Sequence, residues 1–204
     1  MKSFEPVVLA GDHVRLEPLA PRHVPGLVAA AAEDRSTYDW TPVPNGEAEL
    51  RAAVELAERE RVAGTRLGFA TVHLPDAMVV GSTSFLDPQR WQRSDRAPSF
   101  DSIEIGSTWL AASAQRTVVN TEAKLLMLDH AFDVWNVHRV VLNTDARNER
   151  SRAAIERTGA TFEGVLHSFR MGVEGTPRDT ATFAITARDW PEVRARLVAR
   201  LTPA

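Results

Sequence analysis

Apolar and polar positions along this chain run in two rhythms, and each change of rhythm marks a change of element. Residues 14–19, VRLEPL, alternate with period two and end at a proline, which predicts a short edge strand. Pro21 then opens an apolar helix through about Ala32, since a proline is tolerated in a first helical turn. The stretch EDRSTYDWTPVPNG, with two prolines and an aromatic pair, reads as an ordered surface loop. From Glu47 to Ala63 the pattern is helical, with Leu50, Val54 and Ala57 on one face of a highly charged segment that Gly64 stops. Strands at about 67–73 and 79–86, joined by the turn LPDA, form a hairpin. The polar loop DPQRWQRSDRAPS leads to a third strand at 100–110.

The next segment, SAQRTVVNTEAKLL, runs from a loop into a helix spanning about Asn120 to Asp133. VHRVVLNTD, residues 137–145, is a continuous apolar run of the kind found in strands buried on both faces. A helix at 149–158 ends at Gly159, read as a left-handed cap. TFEGVLHSFRM and RDTATFAIT pair around GVEGTP, and the tail from Trp190 to Leu201 is an amphipathic helix. The order is strand, two helices, three strands, helix, strand, helix, two strands. It predicts an α+β fold with a mixed, mostly antiparallel central sheet and helices on both faces. No repeat or linker interrupts it, so residues 1–204 read as one domain with its core at about 12–190.

Composition narrows the function classes. With 204 residues, 44% of them hydrophobic, the chain can bury a substantial core. A net charge of −3 gives no electrostatic reason to expect nucleic acid. The absence of cysteine excludes disulfides, thiolate metal sites and a cysteine nucleophile. None of the six histidines forms an i, i+4 pair, so no metal is expected. The N-terminal stretch lacks the apolar run of a signal peptide and no segment could span a bilayer, which predicts a cytoplasmic protein without a membrane partner.

Three pieces, in order and at consistent spacing, carry a resemblance: IEIGSTWLA (103–111), QRTVVNTEAKLL (115–126) and NERSRAAIERTGATFEG (148–164). They are similar to the fourth strand, the Q/R-x-x-G-x-G/A loop with its Thr-Glu-Ala helix, and the Asn-x-x-Ser segment of the GNAT superfamily of acyl-CoA-dependent N-acyltransferases, in the RimJ/RimL branch. The resemblance covers about residues 12–190. It implies acetyl-CoA as acyl donor, no metal, an amine acceptor, and a monomer or homodimer. A longer acyl-CoA, or a fold that binds CoA without catalysis, are the alternatives. One departure stands out. Val118 occupies the central glycine position of the loop and Asn120 the last, and a β-branched residue resists positive φ. Val118 is therefore expected at negative φ, with the anion held by the first-turn amides of the helix.

On this resemblance, Gln115, Arg116, Thr117, Val118, Val119, Asn120 and Thr121 hold the pyrophosphate, with Thr117 or Asn120 also able to cap the helix. The main chain of Trp109, Leu110 and Ala111 is implied to bind the pantetheine arm and to polarise the acyl oxygen, and Asn148 to hold the arm from the other side. Glu104 is the candidate general base, because a carboxylate in the apolar run IEIG is costly unless it faces water or a cleft. Asp101 is the fallback. Strand parity puts Ser102, Glu104, Gly106 and Thr108 on one face and Ile103, Ile105, Ser107 and Trp109 on the other, unless a bulge reverses it. Many relatives protonate the thiolate with a tyrosine. Glu156 stands there in this chain, whose only tyrosine is Tyr38, and Ser151 takes the place of the serine proposed in the RimJ/RimL branch. Tyr38, Trp40, Trp91, His167, Arg170 and Asp179 are the candidate acceptor-binding residues, with Arg90 beside Trp91.

Overall fold

In the computed structural model, which describes residues 4–91 and 100–202, eight strands form one sheet in the order β1-β2-β3-β4-β5-β6-β8-β7. The strands are β1 (Leu9–Ala10), β2 (Val14–Pro18), β3 (Arg66–His73), β4 (Met78–Gln89), β5 (Ser102–Leu110), β6 (Arg139–Asp145), β7 (Thr161–Met171) and β8 (Pro177–Thr186). Every neighbouring pair is antiparallel except β5 and β6, which run parallel. Among the described residues the α-helices are α1 (Val24–Ala32), α2 (Gly46–Ala63), α3 (Val118–Asp129), α4 (Glu149–Arg157) and α5 (Trp190–Leu201). The α+β class and the mostly antiparallel sheet match the pattern-based expectation.

The elements form for legible reasons. Leu50, Val54 and Ala57 are the buried residues of α2, and Gly64 ends it at φ +73° with its N–H returned to Glu60 and Arg61. Alternation along β3 sends Leu67 and Phe69 to one face, where Phe69 meets Phe85 edge-on and Phe85 meets Trp135. On the other face Gly68 lies close to Leu19 and Ala57, so α2 packs directly on the sheet there. Phe69, Phe85 and Phe183 are fully buried, and truncating any one to alanine would cost about 3–5 kcal/mol.

Three differences from the sequence reading have local causes. β1 lies outside β2 and makes the edge, because two residues are too short to show a period. α3 begins at Val118, two residues early, because Thr117 rather than Asn120 is its cap. The helix predicted to run to Asp133 changes at His130 into one π-helical turn, His130–Val134, before β6. β6 buries Val140 and Leu142 on one face, while Val141 and Asn143 on the other are only half-buried. The loop after Asp87 runs partly through 92–99, outside the described residues.

Candidate active site

β5 and β6 pair only at Ser102–Arg139, Ile103–Val140 and Glu104–Val141. Beyond Glu104 both strands continue, to Leu110 and to Asp145, without pairing, and a slot opens between them. A bulge in β5 shapes its wall. Ser84 faces Gly106 while Ser82 faces Trp109, so β5 carries one extra residue, and Ser107 adopts φ +48° to absorb it. Parity reverses there. Thr108 turns toward α3, its Oγ1 2.7 Å from both Thr83 Oγ1 and Lys124 Nζ. Trp109 turns to the opposite face, that of Glu104, and packs edge-on against the Tyr38 ring at 6.1 Å.

The main chain at the end of β5 is partly spent within the protein. Ala111 N–H donates to Val80 O of β4 at 2.8 Å. The Leu110 carbonyl accepts from Tyr38 Oη–H and from Gln115 Nε2, each at 3.0 Å. Since successive amides of a strand point to opposite sides, the Leu110 N–H is directed away from β4, into the slot. Tyr38 is therefore a buried prop for β5, and Gln115 supports the same carbonyl while also reaching Thr37.

A short turn, 112–114, then delivers the chain to α3. Arg116 at φ +61° supplies the left-handed residue, Thr117 is extended, and Val118 is the first helical residue, at negative φ as expected. The Thr117 hydroxyl donates to Ala114 O at 2.7 Å and accepts from Val119 N–H. The amides of Val118, Val119 and Asn120 belong to a first turn and have no acceptor inside the helix. Of these, Val119 is the one capped by Thr117, and Thr121 follows, half-buried. A left-handed turn without glycine thus still places a helix N-terminus directly after β5.

On the far side of the slot, Asn148 caps α4, its Oδ1 accepting from the Ser151 N–H at 2.9 Å. Ser151 is half-buried in the first turn of that helix. Arg150 reaches across to the Thr37 carbonyl, so residues of the α1–α2 connection touch both walls.

Glu104 is 5% exposed and held by three hydrogen bonds from two side chains. Asn143 Nδ2 donates to Oε2 at 2.8 Å, and Arg170 donates to Oε2 at 2.7 Å and to Oε1 at 3.2 Å. Arg170 also bonds Asp87 at 2.7 Å. Asp101 is buried behind Trp91, whose N–H it accepts at 2.8 Å. The remaining acceptor candidates scatter. Trp40 lies under the Arg147 guanidinium at 3.9 Å. Trp91 is exposed and stacks on His138 at 5.7 Å. His167 pairs with Asp179 at 2.9 Å, and by alternation along β8 that pair lies on the face opposite Arg178. The Ser168 N–H, then His167, hold the Asp179 carboxyl below its usual range. Arg170, rather than His167 or Asp179, is the late-hairpin residue gathered around Glu104.

Sequence reading missed Asn143, Arg178 and Lys124. Asn143 and Arg178 could have been found by carrying strand parity across the register Asn143–Thr182 and Arg170–Arg178. Lys124 could not, since a lysine in TEAKLL looks like any solvated helix residue. It is instead buried, and burial pushes its ammonium down to about 7. A groove lined by Gly11, Asp12, His13, Glu122, Leu125 and Val198 lies between the β1–β2 turn and α5. The Glu122 carboxylate in it is taken up by the N–H groups of Asp12, His13 and Val14. Among the described residues no three His, Asp or Glu side chains gather as a metal site, and no helix is long and apolar enough to cross a membrane.

Comparison with known proteins places the fold and the family. Residues 13–161 match the family described as acetyltransferase (GNAT) domain. The crystal structure of a candidate acetyltransferase is 36% identical, with a TM-score of 0.82 over 100% of this chain and 98% of that one. A GCN5-related N-acetyltransferase from Brucella melitensis is 30% identical, with a TM-score of 0.82 over 98% of this chain and 88% of its own. RimJ of Mycobacterium smegmatis, solved with CoA-disulfide, is 26% identical, with a TM-score of 0.75 over 97% and 93%. No curated protein matches the sequence.

Proposed function

This chain belongs to the GNAT acetyltransferase family, an acyl-CoA-dependent N-acyltransferase of the RimJ/RimL-like kind, and we propose that it acetylates a primary amine by direct attack in a ternary complex. The amine is a protein N-terminal α-amine or that of a small molecule. The observation that carries the reading is the slot opened where β5 and β6 part beyond Glu104, with the α3 N-terminus beyond the end of β5.

Acetyl-CoA, when bound, supplies an activated thioester, and the residues present fit it. First-turn amides and the positive dipole end of α3 suit a diphosphate, and Arg116 and Thr117 add a charge and a hydroxyl. Asn148 has committed its Oδ1 to the α4 cap, so its Nδ2 is the end that would hold the pantetheine arm. Because Ala111 N–H is spent on β4, the Leu110 N–H is the donor we assign to the acyl oxygen. Such a donor is worth about 3 kcal/mol of barrier.

Glu104 accepts an N–H of the attacking amine and takes its proton, directly or through one water. Asn143 and Arg170 together take both acceptor positions of Oε2, and Arg170 takes one of Oε1, so Oε1 is the oxygen with a position left for the amine. Ser151 donates to the departing sulfur or relays a proton to it. An α-amine, with a reference pKa near 8, is partly neutral at neutral pH, whereas a lysine near 10.4 is almost wholly charged, so α-amines make the easier acceptors.

The test is thiol release from acetyl-CoA with N-terminal peptides, lysine peptides, polyamines and aminoglycosides. Acetyl-CoA at about 100 times its Kd should also stabilise the fold by ~2.7 kcal/mol, a Tm rise of roughly 5–10 °C. Stabilisation without thiol release for any amine would reject amine acetylation.

A further inference from the structure

The face of the sheet that carries Glu104 also carries, besides Arg170, a second and more loosely paired cation. Val141, Asn143 and Asp145 of β6 share this face with Glu104, and their register partners on β8 are Ala184, Thr182 and Thr180. Arg178 is next along β8, and it sits directly across from Arg170 on β7. Two like charges opposite each other in a sheet repel, and a fold keeps such a pair only with compensation. Arg170 has it, from Glu104 and Asp87. Arg178 does not. Its carboxylate neighbour, Asp145 Oδ2, is 4.0 Å away, and both oxygens of Asp145 are already bonded to Arg147 at 3.0 Å.

The surroundings of Arg178 are short of partners as well. Its Nε is enclosed without a hydrogen-bond partner, and so are Thr180 Oγ1, Thr182 Oγ1 and Asn143 Oδ1 on the same face. Enclosed polar atoms are nearly always paired, and leaving one unpaired is among the costlier defects a fold can hold. Four adjacent ones, three of them able to donate, describe a polar lining matched to something that brings acceptors. The strip is continuous with Glu104 through Asn143, whose Nδ2 is on Glu104 and whose Oδ1 is open.

Resting on the proposed amine acetylation, we infer that the acceptor carries an oxyanion close to its amine, bound by the Arg178 guanidinium with Thr180 and Thr182 lining the pocket. The amine end goes to Glu104 and Asn143 Oδ1, and the anionic end to Arg178, which neutralises the Arg170–Arg178 repulsion on binding. A carboxylate and a phosphate monoester satisfy the same donors, and the planar guanidinium suits either. The groups facing this position are Arg170, Arg147, Asp145 and Glu104, which burial and proximity couple to Arg178.

Matched pairs of acceptors test this on the intact protein: an amino acid against its amide, a dipeptide with Asp against one with Asn, and phosphoethanolamine against ethanolamine. The expected result is a kcat/KM roughly tenfold to a hundredfold higher for the charged member of at least one pair, the value of one charged hydrogen-bonding contact. The carboxylate and phosphate pairs report which oxyanion is preferred. In R178Q that ratio should fall to about one. Equal kcat/KM within every pair in the wild-type protein, or a preference that survives R178Q, overturns the assignment. Calorimetric titration of the CoA-loaded protein with the same pairs reads binding without turnover. Tighter binding of the charged members, lost in R178Q, would keep the anion site even if no amine were acetylated. Equal binding of the two members would remove it even if acetylation were observed.

Discussion

Glu104 and Glu122 are buried to the same extent, 5% exposed, yet the partners that hold them differ in kind. Glu122 on α3 accepts from three consecutive main-chain amides, Asp12, His13 and Val14, at 2.6–2.9 Å. Those donors cannot rotate away. The bond joins α3 to the β1–β2 turn, and Gly11 is glycine because a Cβ there would meet the Glu122 carboxyl at 2.4 Å. Glu104 is held by an amide and a guanidinium on side chains, at the mouth of a slot, with Arg170 shared by Asp87. Burial alone does not mark a functional acid. The stiffness of the partners, and whether they have other engagements, separate the two carboxylates.

Substitution should split the two acids. Glu122→Gln exchanges an acceptor for a donor against a donor nest, which should cost about 3 kcal/mol by loss of charged hydrogen bonds. That lowers Tm by roughly 6–12 °C in a scanning-calorimetry melt. A melt like that of the parent would show that the nest does not need the charge. Glu104→Gln should instead cost less in the melt than Glu122→Gln, since Arg170 keeps Asp87, and reduce kcat about a hundredfold near neutral pH, with partial recovery as pH rises and CoA affinity little changed. Unaltered turnover across the pH range would remove Glu104 from the base role.

Lys124 sharpens the contrast as a buried charge of the other sign, with Thr108 Oγ1 as a partner at 2.7 Å. Its folded-state pKa, pushed down by desolvation to about 7, lies below the unfolded value of 10.5, so between those values the unfolded chain holds the extra proton. Stability should therefore rise with pH from about 7 toward 10.5 on this group's account, and be poorest below 7. K124M should flatten that rise in urea melts taken across the range. If both proteins show the same slope, the amine is solvated in the fold. The smallest effect belongs to the α3 cap. Thr117→Ala should cost about 1 kcal/mol, or roughly 2–4 °C in Tm.

The contrast also explains what could be read from the chain and what could not. Period-two runs and the glycines at 64 and 159 placed the strands and helix ends, because each depends on residues a few positions apart. The β5 bulge was legible as a possibility, and Ser107 realises it. Glu122 was not legible: it stands in TEAKLL as any exposed helix acid would, and its partners lie over a hundred residues upstream. Tyr38 looked like a cleft aromatic because nothing local reveals that its hydroxyl reaches the Leu110 carbonyl. Arg116 carries the left-handed turn ahead of α3, and nothing in the sequence singled that residue out for it.

The sheet ends differently on its two sides. β1 is two residues long, whereas β7 offers eleven, with Phe162, Val165, Leu166 and Phe169 exposed. Two left-handed residues, Gly164 at φ +150° and Ser168 at φ +49°, break the pairing register of β7. A foreign strand laid along this border would lose step at each of them, so an oily rim that would otherwise invite fibrous stacking is kept from zipping to its own kind.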